Sequence, residues 1–360
     1  MAGLEDLRRR VDELDRGIVA LLNQRAALSI EIGRAKDSST PDSRLPAPVY
    51  APGREAEVHR GVQSASEGPL PAEGLRAIYS EIISCSRTLQ APLRVAFLGP
   101  AATFSHQAAL SHFGSSTTML PVTTIPDVFK ETEVGRADYG IVPIENSTEG
   151  AVTFSLDSFV DSDLKACAEF RLDVHEAVMA RVPLAEVKVV YSHPQAIAQC
   201  RGWLRAHLPN VPVVETPSTA GAAEQASREV GAAAIGPGVA ATVYKLDVLE
   251  PRAEDVAGNV TRFLVIGRHM SERTGRDRMG LMFSIKDRVG VLQDVLALFA
   301  GAGINLTKIE SRPSKRRAWD YLFFVDLDTH PDDPAVQAAL VQLQELTVFQ
   351  KVLGAWRRTD

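Results

Sequence analysis

Arg25 occupies a position where a hydrocarbon is expected. Leu4, Leu7, Val11, Leu14, Ile18, Leu21, Leu28 and Ile32 recur at three- and four-residue intervals along one helix-forming run, and the place on that stripe between Leu21 and Leu28 is a guanidinium. Lys36 follows eleven residues on, about 20° round the axis and ~16 Å along it, so both cations can reach one site. Arg8 lies seventeen residues back, ~26 Å away and turned by about 100°, and meets Arg25 only across an antiparallel partner. Two inward cations and a third from another chain make a cage for a small polyanion. A lone arginine could instead run its stem along the surface and leave its charge in water. Lys36 in phase, with Arg54 and Glu55 opening the next helical run, favours the cage.

A second group of polar residues sits at strand ends. GPAATFSH (99–106), VPIENSTEG (142–150), YSHPQAIAQC (191–200), TPSTAGAAE (216–224) and NVTRFLVIG (259–267) each run into a turn rich in hydroxyls or amides. They offer Thr103, Ser105, Asn146, Ser147, Ser192, Gln199, Ser218, Thr219 and Thr261. That is a neutral hydrogen-bonding cleft, without a cysteine nucleophile, a His-x-x-His pair or a glycine-rich phosphate loop. Within these turns His106 and His193 are the only bases, and His193, ahead of Pro194, reads as structural. Any one of the turns alone would be ordinary loop chemistry.

The elements that must hold these residues follow from pattern. Residues 3–36 read as one helix of roughly 50 Å. Residues 37–53, with Pro41, Pro46, Pro48 and Pro52, break it, and helical patterns resume at Arg54 and again over 71–89. A helical unit with so long a first helix cannot cover its own apolar stripe, and a second copy is the simplest cover. From Pro92 onward short apolar strands at 94–99, 137–146, 187–193, 211–216, 232–236 and 261–267 alternate with helical patterns, which predicts an α/β sheet. A charged linker, 269–278, precedes a βαββαβ run, the ferredoxin-like plan.

Composition narrows the function. The chain has 360 residues, 45% hydrophobic, with a net charge of −6, enough for two or three domains and without a nucleic-acid footprint. The charged N-terminus lacks an apolar signal region and no apolar run is long enough to span a bilayer, so no membrane role is expected. Cys85, Cys167 and Cys200 are odd in number and far apart, which fits a reducing cytoplasm and supplies no metal site.

Three resemblances then add to this reading. LRRRVDELD, LLNQRAALSIEIGRAK, REAEV and EIISCSRTLQ make residues 4–90 similar to the all-helical chorismate mutase domain. That resemblance implies that Arg25, and Arg8 from the other subunit, hold the two carboxylates of chorismate. It implies that Lys36 and Gln90 bond the ether oxygen, that Glu55 takes the ring hydroxyl, and that Arg54 and Ser86 line the pocket. The family often has Asp where this chain has Ala51. VPIEN, SHPQ and TRF make residues 94–270 resemble prephenate dehydratase, whose fold is two α/β lobes in the manner of a periplasmic binding protein. There Thr261 would act on the leaving hydroxyl, Asn146, Ser192 and Gln199 would position prephenate, and Arg262 would help bind carboxylate. Ala102 stands where that family usually has glycine. Residues 287–313 resemble an amino-acid-sensing ACT module: Gly290, Val291 and Leu292, with Glu310, Ser311, Arg312 and Pro313, would bind phenylalanine. The alternative is a plain dimerisation domain.

Together these imply a multidomain chain: a helical chorismate mutase domain (1–92), a two-lobed α/β dehydratase domain (93–270) and an α+β ferredoxin-like ACT domain (279–360). The expected enzyme is bifunctional, converting chorismate through prephenate to phenylpyruvate under phenylalanine feedback. It is expected to be a cytoplasmic homodimer or homotetramer needing no cofactor and no metal. The rivals are a dehydratase with a helical domain kept for dimerisation, and a non-catalytic amino-acid-binding regulator.

Overall fold

The computed structural model of the chain describes residues 3–39, 49–313 and 321–359. Much of the proline-rich break (40–48) and residues 314–320 within the βαββαβ run lie outside the described residues. The chain forms two compact units, one of Met1–Arg94 with Leu110–Thr118, the other of Val95–Ala109 with Met119–Asp360.

In the first unit α1 (Leu4–Ser39) runs 36 residues, a turn past Lys36, followed by α2 (Pro52–Ser64) and α3 (Ala72–Gln90). Pro52 stands in the first turn of α2, where its missing N–H costs nothing. α1 packs along α3. The predicted stripe faces away from that contact: its eight hydrocarbons are 47% to 67% exposed. An apolar seam of this length left in water is the signature of a missing partner surface.

The second unit carries β1 (Arg94–Leu98, from Val95), the first part of α4 (Phe104–Phe113, whose residues from Leu110 on belong to the first unit), β2 (Thr118–Val122, from Met119), α5 (Ile125–Glu133), β3 (Tyr139–Asn146), β4 (Gly150–Ala151), α6 (Thr153–Asp161) and β5 (Lys165–Asp173). β6 (Ala177–Ala180), β7 (Val189–Ser192), α7 (Pro194–Gln199), α8 (Arg201–His207), β8 (Val213–Glu215), α9 (Thr219–Arg228), β9 (Ala232–Gly236), α10 (Val239–Tyr244) and β10 (Asp247–Glu250) build a second lobe. The chain returns through β11 (Val260–Gly267) and ends in β12 (Asp277–Ile285), α11 (Val291–Gly301), β13 (Leu306–Pro313), β14 (Tyr321–Leu327), α12 (Pro334–Leu346) and β15 (Thr347–Arg357). The last six elements are the βαββαβ order read from the sequence.

The larger sheet runs β13-β14-β12-β15-β5-β11-β3-β1-β2, with β4 on β3, and the smaller runs β10-β6-β9-β7-β8. The chain crosses from one to the other between β5 and β6 and back between β10 and β11, which makes two lobes on a double hinge. The terminal βαββαβ unit continues the larger sheet. β15 pairs in parallel with β5, Gly354 opposite Ala166, so one sheet spans both. Gly354 sits at φ +151°, and a Cβ there would lie 2.1 Å from the Ala166 carbonyl oxygen, so only glycine permits the join.

The hinge holds two carboxyl groups. Glu254 accepts from the Glu176 amide at 3.0 Å and lies 2.7 Å from His175 Nδ1. Glu176 is 3% exposed, and burial, with Glu254 adding repulsion, pushes its carboxyl up to about 8. A carboxyl raised on folding gives stability that is complete in acid, below the ordinary carboxylate range, and lost as pH rises through about 8. The melting midpoint, followed between about pH 5 and pH 9, should therefore fall toward alkali, and Glu176→Gln should flatten that limb. An unaltered slope in the variant would place the titrating group elsewhere.

Candidate active sites

Arg25 turns from the stripe toward α3, where its Nη1 donates to Ser86 Oγ. Ser29 and Gly33, one and two turns further along α1, give α3 room. Ser29 is buried and bonds back to the Arg25 carbonyl at 3.0 Å, and a Cβ at Gly33 would stand 3.2 Å from that of Gln90. The Arg25, Ser29, Gly33, Lys36 face is the signal that the leucine stripe masks in a first reading.

Glu55 enters this pocket from α2. Burial raises its carboxyl, and the charges of Arg87 and, more weakly, Lys36 pull it back without reversing the shift. Arg87, only 4% exposed, grips both Glu55 oxygens at 3.0 and 3.2 Å, donates to the Phe113 carbonyl and lies over the rings of Tyr50 and Phe113. Among the described residues, Gln90 Oε1 is buried with no hydrogen-bond partner. The first unit thus gathers Arg25, Ser86, Glu55, Lys36 and Gln90, and adds Arg87, which sequence reasoning passed over. One expected residue, Arg54, is placed elsewhere, and Arg8, expected to serve a second chain, lies far from Arg25 on its own helix. Arg54 points outward to Glu57 at 2.9 Å, its side chain 73% exposed. Arg8 pairs with Glu5 at 3.2 Å, a long way down the same helix from Arg25.

In the second unit β11 and β3 lie antiparallel with Thr261 opposite Asn146. Asn146 Nδ2 donates to Thr261 Oγ1 at 2.9 Å and to Asn259 Oδ1 at 2.7 Å. Its Oδ1 accepts from Thr148 N, Thr148 Oγ1 and Glu149 N. Because Thr261 Oγ1 accepts from Asn146, its own proton is left to donate outward. Asn259 Nδ2 reaches Gln199 Oε1 at 3.3 Å, tying Asn146 to the second lobe. Asn259 stands two residues before Thr261, and the two-residue period of a strand is the clue that puts both on one face. Ser147 Oγ accepts from Val260 N at 2.9 Å and donates to the Gly258 carbonyl.

Other cleft residues spend their groups on the backbone. Ser192 is fully buried and donates to the Ile235 carbonyl at 2.7 Å. Ser218 caps α9, and Thr219 packs on Gly236. Thr103 donates to the Leu98 and Pro100 carbonyls, and Ser105 is buried in α4. His193 caps α7, as its place before proline suggested. His106 is stacked on Phe97, its Nδ1 accepts from the Ala102 amide at 3.0 Å, and burial lowers its pKa, so it is a poor base.

Arg262 corrects the expectation of a carboxylate-binding residue. Next to Thr261 on a strand, it leaves the opposite face, where it pairs with Glu169 at 2.8 Å and Asp326 at 2.6 Å. In the ACT unit Gly290 caps α11 at φ +80°. Glu310 to Pro313 form the end of edge strand β13, and Arg312 faces Asp157 at 3.6 Å. β14 lies between β13 and β12, so one sheet does not set the two motifs side by side. Among the described residues no cluster of His, Cys, Asp or Glu is arranged for a metal, and no helix is long and apolar enough to cross a membrane.

Ala102 takes φ +69°, the left-handed region, and its methyl is buried with Met179 and Tyr191 of the second lobe. Ala102→Gly removes roughly 1–2 kcal/mol of backbone cost. It also loses a buried methyl of about 0.8 kcal/mol and adds chain freedom worth about 0.4–1 kcal/mol. Stability to denaturant should stay within about 1 kcal/mol of wild type, whereas Ala102→Val should lose more than that. A larger loss in the glycine variant would mean that the methyl matters more than the strain.

Comparison with known proteins gives the family. The chorismate mutase type II profile matches residues 7–91, prephenate dehydratase 95–271 and the ACT domain 280–345. A bifunctional chorismate mutase/prephenate dehydratase of Aquifex aeolicus is 44% identical, covering 99% of this chain and 98% of its own. One from Stutzerimonas stutzeri is 41% identical over 98% and 97%. The crystal structure of prephenate dehydratase from Arthrobacter aurescens in complex with L-Phe is 34% identical, with a TM-score of 0.67 over 74% of this chain and 90% of that one. With relatives of this identity along nearly its whole length, the chain belongs to the bifunctional chorismate mutase/prephenate dehydratase family.

Proposed function

We propose that the chain converts chorismate to prephenate in its helical domain (1–92) and prephenate to phenylpyruvate in its two-lobed domain (93–270), with phenylalanine inhibiting through the ACT domain (279–360). The observation that carries the reading is the pairing of two sites in one chain: Arg25, Lys36, Glu55 and Gln90 around α3, and Thr261 with Asn146 at the end of β3. The sensing role is supported by the ACT match and by the relative crystallised with L-Phe. Three free cysteines, two of them buried, fit a cytoplasmic location.

The first reaction needs no proton transfer. One C–O bond breaks as one C–C bond forms within the folded substrate, and negative charge builds on the ether oxygen. Arg25, with Arg8 of the partner subunit, fixes the carboxylates bidentately. Lys36 and Gln90 meet the ether oxygen, and Glu55, whose carboxyl burial raises above its ordinary range, hydrogen-bonds the ring hydroxyl. The exposed stripe of α1 supports a homodimer in which each long helix supplies an arginine to the other's pocket.

The second reaction expels the ring hydroxyl as water while the ring carboxylate leaves as CO2, its bonding electrons entering the ring. The Asn146 amide orients the Thr261 hydroxyl so that its proton points at the leaving oxygen. Gln199, through Asn259, ties that geometry to closure of the two lobes. Arg262 plays no part in binding carboxylate here.

Purified protein fed chorismate should consume its absorbance and yield phenylpyruvate. Arg25→Leu restores an apolar side chain, so the helical unit should fold as well as wild type. Mutase turnover should drop by about a hundredfold or more, with dehydratase activity on added prephenate intact. Mutase activity within tenfold of wild type would remove Arg25 from the site. Mixing Arg8→Ala with Arg25→Ala chains should regenerate wild-type mutase sites in heterodimers. No recovery after confirmed subunit exchange would show that each site is built from one chain.

A further inference from the structure

The two dehydratase signatures each place one residue in the cleft and its neighbour in an ionic seam, Arg262 largely buried there and Glu145 partly exposed. β11 pairs with β3 so that Thr261 faces Asn146 and Arg262 faces Glu145. Thr261 and Asn146 meet in the cleft. On the other side of the sheet Glu145 Oε2 lies 2.7 Å from Lys308 Nζ and 3.8 Å from Arg262. Arg262 is held by Asp326 of β14 and Glu169 of β5, and stands 5.8 Å from the Trp356 ring of β15. Glu169 also takes Trp356 Nε1 at 3.0 Å and Thr359 Oγ1 at 2.7 Å. Burial alone would raise the Glu169 carboxyl, yet Arg262, Thr359, Arg278 and Trp356 together hold it below the usual range. Next to Arg262 the β11–β3 register slips, a bulge that lets the strand end tilt.

The ACT side of the seam leads to the effector motif. Lys308, Glu310 and Arg312 alternate onto one face of β13, and Arg312 reaches Asp157 of α6. Arg262, Lys308 and Asp326 also line a small cavity walled by Ile144, Leu156 and Phe324. The seam is therefore not packed solid, and its charges have space in which to shift.

We propose that Glu145 and Arg262 are positioning residues of the dehydratase site, carrying the state of β13 and β14 to Asn146 and Thr261. The inference rests on the dehydratase and effector reading above. A ligand that moves β13 displaces Lys308, hence the Glu145–Arg262 pair, and the adjoining Asn146–Thr261 pair turns with it. Such a ligand inhibits to the extent that it prefers the displaced arrangement.

The test uses the full-length protein. Wild type should lose at least about fivefold of its dehydratase rate at saturating phenylalanine, within the usual range of coupling. Lys308→Met and Asp326→Asn should still bind phenylalanine by calorimetry, but lose less than about twofold of their own uninhibited rate. A purely structural seam would lower melting temperature and basal rate while leaving that ratio as in wild type, and such a result in a folded variant overturns the proposal. If neither variant folds, hydrogen exchange of wild type decides. Phenylalanine should alter protection of the amides in 142–147 and 259–263, and unchanged protection there overturns the proposal. Wild type without prephenate turnover, or without a phenylalanine binding heat, would instead sink the function reading itself.

Discussion

A carboxylate taken out of water must be paid for nearby, and Glu169 sets that requirement for the second unit. Its side chain is fully buried between two arginines, an indole N–H and a threonine hydroxyl. Removing one partner from such a group costs about 3–5 kcal/mol, a large share of the ~5–15 kcal/mol that holds a protein folded. Exposed pairs such as Arg9 with Asp6 contribute about 0–1 kcal/mol. The partners of Glu169 come from β11, β12, β15 and the residues just after β15. That one ion obliges the catalytic sheet and the ACT sheet to be a single object.

The helical unit answers a similar demand. Arg87 is buried because Glu55, a carbonyl and two aromatic rings surround it. It fixes the Glu55 carboxyl at the pocket wall, while Arg25 is left to meet Ser86. Both sites thus rely on positioned hydrogen bonds and charges rather than on a strong nucleophile. That suits two reactions whose driving force lies in the substrate, one pericyclic and the other ending in an aromatic ring.

Much of this was legible in the chain. The three helices, the strands carrying VPIEN, SHPQ and TRF, and the βαββαβ order follow from periodicity and turn residues, and the structure has each of them. β5 escaped because KACAEFRLD mixes charge with small residues. Its Glu169 is stable there only because of side chains up to 190 positions away. Arg262 was misplaced for the same reason: its Asp326 partner is 64 residues on, and no local pattern reveals it. Arg54 shows the converse, since family position pointed inward while an exposed glutamate one turn along draws it out. Local rules read elements well. Long-range charge pairing, which decides which face a side chain serves, is silent in a single sequence.

The join at Gly354 bears on how the chain is made. Ala166 emerges from the ribosome well before Gly354 does, by roughly 10–40 s at about 5–20 residues per second. Until β15 arrives, β5 has an open edge and a carboxylate lacking its indole and threonine donors. An open edge is where strands of neighbouring chains pair wrongly. The first lobe is therefore a nascent structure waiting for its last strand, and its vulnerable interval is set by the speed of translation rather than by its own stability.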